Sequence, residues 1–115
     1  MTNLQRLNIE LNEKKYFDNW EEVYTEILDE NGLDAEEIYS KENNHVSMLE
    51  SVYAVLQSLS NNIDAFRKIE TEFTTVSAAY QYLQKRLKDL RVEINRIKDE
   101  TGIADRLTSY MFFNS

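Results

Sequence analysis

Few residues in this 115-residue chain are of a type and spacing that could do chemistry. Glu42-Asn43-Asn44-His45 has the Glu-x-x-His spacing of carboxylate-bridged di-metal bundles. Such sites need a second copy of the motif and two further glutamates projecting into the bundle. The chain holds one His, so the second motif cannot exist. His45 also lies four residues before Leu49, in line with an apolar seam, and reads as a first-turn helical residue. Glu21-Glu22, Glu36-Glu37 and Asp99-Glu100 are adjacent acid pairs. Paired-carboxylate catalysis needs groups facing across a cleft, whereas neighbours on one helix point about 100° apart. These pairs read as solvated residues or as favourable charges at helix N-termini. There is no Cys for thiol chemistry or metal ligation, and two Gly cannot build a phosphate-cradling loop. No Asp-x-Asp-x-Asp-Gly calcium loop occurs, and the hydroxyls lack a histidine or glycine-rich elbow to activate one. The sequence thus predicts no catalytic, cofactor-binding or metal-ligating residue, and a non-enzymatic protein.

The charges point to partners instead. Residues 10–50 carry thirteen acids against three bases, and residues 85–98 carry six bases against two acids. The overall charge of -8 argues against specific nucleic acid binding and against attraction to anionic membranes. No apolar run approaches the ~18–20 residues that would span a bilayer. Charge segregation of this kind marks solvated helix faces. It also suits head-to-tail association, in which one subunit's basic helix meets its neighbour's acidic one and the contact closes into a ring where the rotation allows. On that reading the candidate subunit contacts are Glu21, Glu22, Glu26 and Asp29 on the acidic side and Lys85, Arg86, Lys88 and Arg91 on the basic side. Tyr82 and Val92, which lie off the apolar seam of their helix, and the tail residues Phe112 and Phe113 are candidate apolar contacts.

The elements that must position these residues are helical. Thr2 and Gln5 have capping-box spacing, and Leu4, Leu7 and Leu11 follow at helical intervals. Residues 12–18 read as a connection. Asp18 and Glu21 have box spacing before a second helix with an apolar stripe of Trp20, Val23, Tyr24, Ile27 and Leu28. Gly32 ends it, because glycine takes the left-handed conformation of a helix C-terminus. Asp34 and Glu37 predict a short third helix, with Leu33 and Ile38 as a hydrophobic staple. Asn43 and Asn44 open a central helix whose seam is Leu49, Val52, Leu56, Leu59, Ile63 and Phe66. Val46, Met48, Tyr53, Val55 and Ile69 widen that stripe to the breadth expected of a buried helix. Thr71, Thr74 and Thr75 mark a break and an N-cap. Val76, Tyr80, Leu83, Leu87, Leu90, Ile94 and Ile97 then repeat over three heptads with no polar residue on the seam. Thr101-Gly102 ends that helix, and Ile103, Leu107, Tyr110 and Met111 allow one more short helix.

The fold class expected is all-α: a compact bundle of about five helices. A long heptad-patterned helix (about 75–99) packs antiparallel on a central helix (about 45–69), followed by a short C-terminal segment. Residues 1–115 form a single helical domain, with 100–115 as a candidate docking tail. The opening residues lack the basic and apolar regions of a targeting signal.

The order of signals resembles the small head-to-tail connector (head-completion or adaptor) proteins of long-tailed bacteriophages and prophages. The resemblance rests on the opening Met1-Thr2-Asn3-Leu4-Gln5-Arg6-Leu7, the acidic aromatic segment with Gly32, and the apolar helix through Leu49-Glu50-Ser51-Val52-Tyr53. Thr71-Glu72-Phe73-Thr74-Thr75 and a long helix with Tyr82-Leu83 and Arg86-Leu87 complete it, over roughly residues 1–99. It implies a structural subunit of a homo-oligomeric ring beneath the portal, touching portal and tail-proximal proteins. That subunit would assemble in the bacterial cytoplasm and end in the virion. The alternative from the residues alone is a small helical interaction module, a regulator or inhibitor of a host or phage protein.

Overall fold

Thr2 opens the first helix as its spacing predicts. In the computed structural model, which describes residues 1–62, 66–67, 73 and 75–113 (side chains to residue 100), its hydroxyl accepts from the Gln5 amide at 3.2 Å. The Gln5 side chain accepts from the Thr2 amide at 2.8 Å, closing the capping box. Helix α1 runs Asn3–Glu10, α2 Trp20–Glu30, α3 Lys41–Leu59 and α4 Val76–Phe113. Among the described residues these four helices and one isolated bridge, Thr2 to Ile38, are the regular structure, with Phe66 and Arg67 also helical. No helix of the described residues is long and apolar enough to cross a membrane.

Helix α3 is the hub. It packs against α1, α2 and α4, and it is the main neighbour of α4 among the described helices. Its Met48, Val52, Val55, Leu56 and Leu59 are buried with Leu7 and Leu11 of the α1 region, Tyr24 and Leu28 of α2, and Ala79, Leu83 and Leu87 of α4. That burial explains the wide apolar stripe: a helix with neighbours on several sides cannot afford a polar one there. Glu50 meets Lys98 and Tyr53 meets Arg91, so α3 and α4 run antiparallel.

The α2 terminus is a Schellman motif. Gly32 takes φ +78°, its amide donates to the Asp29 carbonyl at 3.0 Å, and the Leu33 amide reaches the Leu28 carbonyl at 2.8 Å. Leu28 and Leu33 are both buried, the apolar contact such motifs carry.

Several expectations are corrected. Among the described residues there are four helices, and the expected short third helix is absent because residues 35–38 form a turn and bridge. Asp34 does cap locally, accepting from the Glu36 amide at 2.9 Å, but the backbone then pairs with the N-terminus. The Asn3 amide donates to the Glu37 carbonyl and the Tyr39 amide to the Met1 carbonyl, both at 2.8 Å. This pairing removes those groups from any helix and leaves Ile38 70% exposed, so the Leu33–Ile38 staple does not form. At the start of α2, Asn19 rather than Asp18 holds the cap position, without a side-chain capping hydrogen bond of its own. Helix α3 starts earlier than Asn43, capped by Ser40, and stops at Leu59, short of 69. Ile63, Ile69, Thr71 and Thr74 lie outside the described residues. Thr75 does cap α4, accepting from the Ala78 amide at 3.0 Å. The buried seam of α4 begins at Ala79, and Val76 and Tyr80 are more than half exposed because they lie off the face that Ala79 and Leu83 bury.

Nor does α4 end at Thr101-Gly102. It continues to Phe113, since a glycine inside a helix costs only about 1 kcal/mol relative to Ala and no proline follows. At 1.5 Å per residue, α4 is roughly 57 Å long and α3 roughly 28 Å. The molecule accordingly measures 61 × 31 × 20 Å, with a radius of gyration of 16.9 Å against about 13 Å for an isometric domain of this size. Helix α3 can flank at most half of α4.

Candidate protein interaction surfaces

Two grooves hold most of the residues singled out in the sequence. The first lies along α2 and the turn after it. Glu21, Glu22, Glu26 and Asp29 form one wall, and Asp34, Glu36 and Glu37 form the other. Leu4, Leu33 and Ala35 line the same groove, which encloses about 910 Å³. Helical spacing explains the first wall: positions 22, 26 and 29 share one face of α2, opposite the buried Tyr24 and Leu28. The bridge between residues 1–3 and 37–39 explains the second, because it folds the turn back onto α1. Glu21 and Glu22 also occupy the first turn of α2, where a negative charge is favourable.

The second groove lies between α3 and α4 and encloses about 530 Å³. Its charged lining is basic, Lys88 and Arg91, with Tyr53, Gln57, Val92 and Asn95 among the other lining residues. The Arg91 guanidinium sits 4.3 Å from the centre of the Tyr53 ring, a cation–π contact. Lys88 has no ion pair among the described residues, and Val92 is 60% exposed.

Beside this groove, Glu50 clamps α4 to α3. Lys98 Nζ donates to Glu50 Oε1 at 2.7 Å, and Arg91 Nη1 and Nη2 approach the same carboxylate at 3.4 and 3.5 Å. Burial opposes ionisation of Glu50, but the Lys98 hydrogen bond and the two positive charges outweigh it and hold its carboxyl below the usual glutamate range. Further along α4, Arg96 bonds both Glu93 and Glu100, and the Arg96 hydrogen bond lowers the Glu93 pKa.

The basic segment therefore divides. Arg86 donates to the Glu10 carbonyl at 2.7 Å and so ties α4 to the end of α1 within the subunit. Arg91 serves Glu50 and Tyr53. Lys85 pairs along its own helix with Asp89 at 3.0 Å and remains highly exposed. Tyr82 is 40% exposed and packs on Phe73, ring centres 5.2 Å apart. Phe112 and Phe113 fall within the backbone span of α4, and their side chains lie outside the described set. Glu42 and His45 sit in the first two turns of α3, and among the described residues no group of three or more acids or histidines is placed to hold a metal.

Glu50 and Tyr53 make polar and cation–π contacts from α3 to α4, and the sequence marks only Tyr53, as part of the apolar stripe. Their spacing of three puts them on one face of α3, but only the antiparallel docking of α4 shows what that face meets. Asn3 is a second omission. It is fully buried, and its Nδ2 donates to the Asp34 carbonyl at 2.8 Å, fastening the turn to α1. Nothing in the sequence separates it from a solvated first-turn asparagine.

Set against family models, curated proteins and solved structures, the chain matches none of them.

Proposed function

We propose that the protein is a non-enzymatic assembly subunit, a head–tail connector of a long-tailed bacteriophage or prophage that joins further copies in a ring between portal and tail. The observation that carries the reading is the pair of grooves. One is walled by seven carboxylates and the other holds only basic charges, and they share no residue. A heterologous contact needs two different, complementary surfaces on each subunit. On this reading assembly takes place in the bacterial cytoplasm, the product is a virion component, and no specific nucleic acid contact is involved.

A second reading, a small helical module that binds one basic protein partner, draws on the apolar residues Leu4, Leu33 and Ala35 within the acidic groove. One experiment separates the two. The tagged protein is recovered from its own lysate under prophage-inducing conditions, and co-purifying proteins are identified by mass spectrometry. Portal, head-completion or tail proteins are the expected result. A single non-virion partner, without portal or tail proteins, refutes the connector reading and favours the module.

A further inference from the structure

The acidic ridge of α2 and the basic groove of α4 have the same spacing. Lys88, Arg91 and Asn95 line the α3–α4 groove at positions i, i+3 and i+7 of one helix face. Read backwards along α2, Asp29, Glu26 and Glu22 occupy i, i−3 and i−7 of one exposed face. Two antiparallel helices bring such series into register, because both then advance by the same 1.5 Å per residue. Asp29 then meets Lys88, Glu26 meets Arg91, and Glu22 meets Asn95. The same register sets the exposed Thr25 against the exposed Val92, methyl groups facing.

We infer that the α3–α4 groove is the docking site for α2 of a second copy of this chain, seated antiparallel to α4 in this register. The inference rests on the self-association proposed above and specifies which surfaces make it. Each group has the capacity required. Lys88 has no ion pair among the described residues, and neither Glu26 nor Asp29 has a side-chain partner there. The guanidinium of Arg91 has five N–H donors, more than its two long contacts to Glu50 use. Asn95 offers an amide to the Glu22 carboxylate, which inside its own subunit receives only a 3.3 Å contact from Asn19. The two surfaces belong to different elements, so a single such contact leaves one acidic face and one basic groove open for further copies, as head-to-tail assembly requires.

The chain lacks cysteine, which makes the register directly testable. Thr25→Cys and Val92→Cys each place one thiol at an exposed site that leaves the three polar pairs intact. The two full-length variants are mixed at low salt with a short bismaleimide. A cross-linked dimer should form in the mixture and not in either variant alone. Adding Lys88→Glu to both should lower the yield roughly tenfold, as breaking a close interfacial charge pair does. Adding Asp29→Lys to that background should restore it. Absence of a cross-link in the mixture, equal cross-linking of one variant alone, or indifference to the charge reversal each overturns the inference. Failure here with portal or tail proteins still co-purifying removes this interface and leaves the connector reading standing. Cross-linking as expected, with no virion partner recovered, removes the connector reading and leaves the interface.

Discussion

Replacing Glu50 by Gln tests whether one carboxylate holds the long helix on the hub. The substitution keeps shape and removes the charge that Lys98 and Arg91 share. The Glu50 side chain is 21% exposed, while Arg91 and Lys98 are 38% and 53% exposed. A pair of unit charges 4 Å apart gains about 1 kcal/mol in water and about 4 kcal/mol at the effective dielectric near a protein surface. Ordering two long side chains and partly drying the carboxylate oppose that gain, so exposed pairs retain only about 0.2–1 kcal/mol each. Two partners on one largely covered carboxylate give an expected loss of about 1–2 kcal/mol. For a domain of this size that is a fall in Tm of about 3–6 °C per kcal/mol. Urea unfolding of the single variants Glu50→Gln and Lys98→Met and of the double variant would isolate the coupling. The pH dependence has a definite sign. The folded-state pKa of Glu50 is depressed, so its contribution is present above the unfolded carboxyl pKa and is lost as pH falls through the folded value. The gap between wild type and Glu50→Gln should hold at pH 7 and close below about pH 4, the ordinary glutamate range. A loss under ~0.3 kcal/mol, zero coupling, or a gap that persists at acid pH would refute the clamp; such ion pairs contribute nothing measurable in many proteins.

Three further outcomes follow from the packing. Leu83→Ala, at a fully buried α4 position, should cost about 2–5 kcal/mol in chemical denaturation. Tyr80→Ala, three residues earlier on the same predicted seam but 53% exposed, should cost less than about 0.5 kcal/mol. Equal losses would place Tyr80 on the covered face of α4 together with Leu83. Gly32→Ala should lower stability by about 1–2 kcal/mol although nothing lies within 4 Å of the added methyl, because the cost is the left-handed backbone at φ +78°; a neutral result in thermal melts would argue against the Schellman terminus.

The helical class, the Thr2–Gln5 box, the Gly32 stop and the Thr75 cap are legible in the residues, because each depends on positions close to one another in the chain. So is the seam from Leu83 through Ile94, where heptad spacing and burial coincide. The extent of that seam was not legible. Val76 and Tyr80 have the right period, but the face that the fold covers at this end of α4 runs through Ala79, and they lie off it. Asp34, Glu37 and Ile38 carry a valid helix-start pattern, yet backbone pairing with residues 1–3 overrode it, and a local pattern contains no information about a segment thirty-odd residues away. Gly102 reads as a terminator, but a stop needs a left-handed residue together with its capping hydrogen bonds, and α4 continues through it. For the candidate surfaces, the segregation of charge along the chain was visible as composition. Tertiary structure alone decided that Arg86 turns inward to Glu10, that Glu50 gathers Arg91 and Lys98, and that Lys88 remains open beside Val92. Charge belongs to a residue, whereas availability for a partner depends on what the fold has already placed within reach of it.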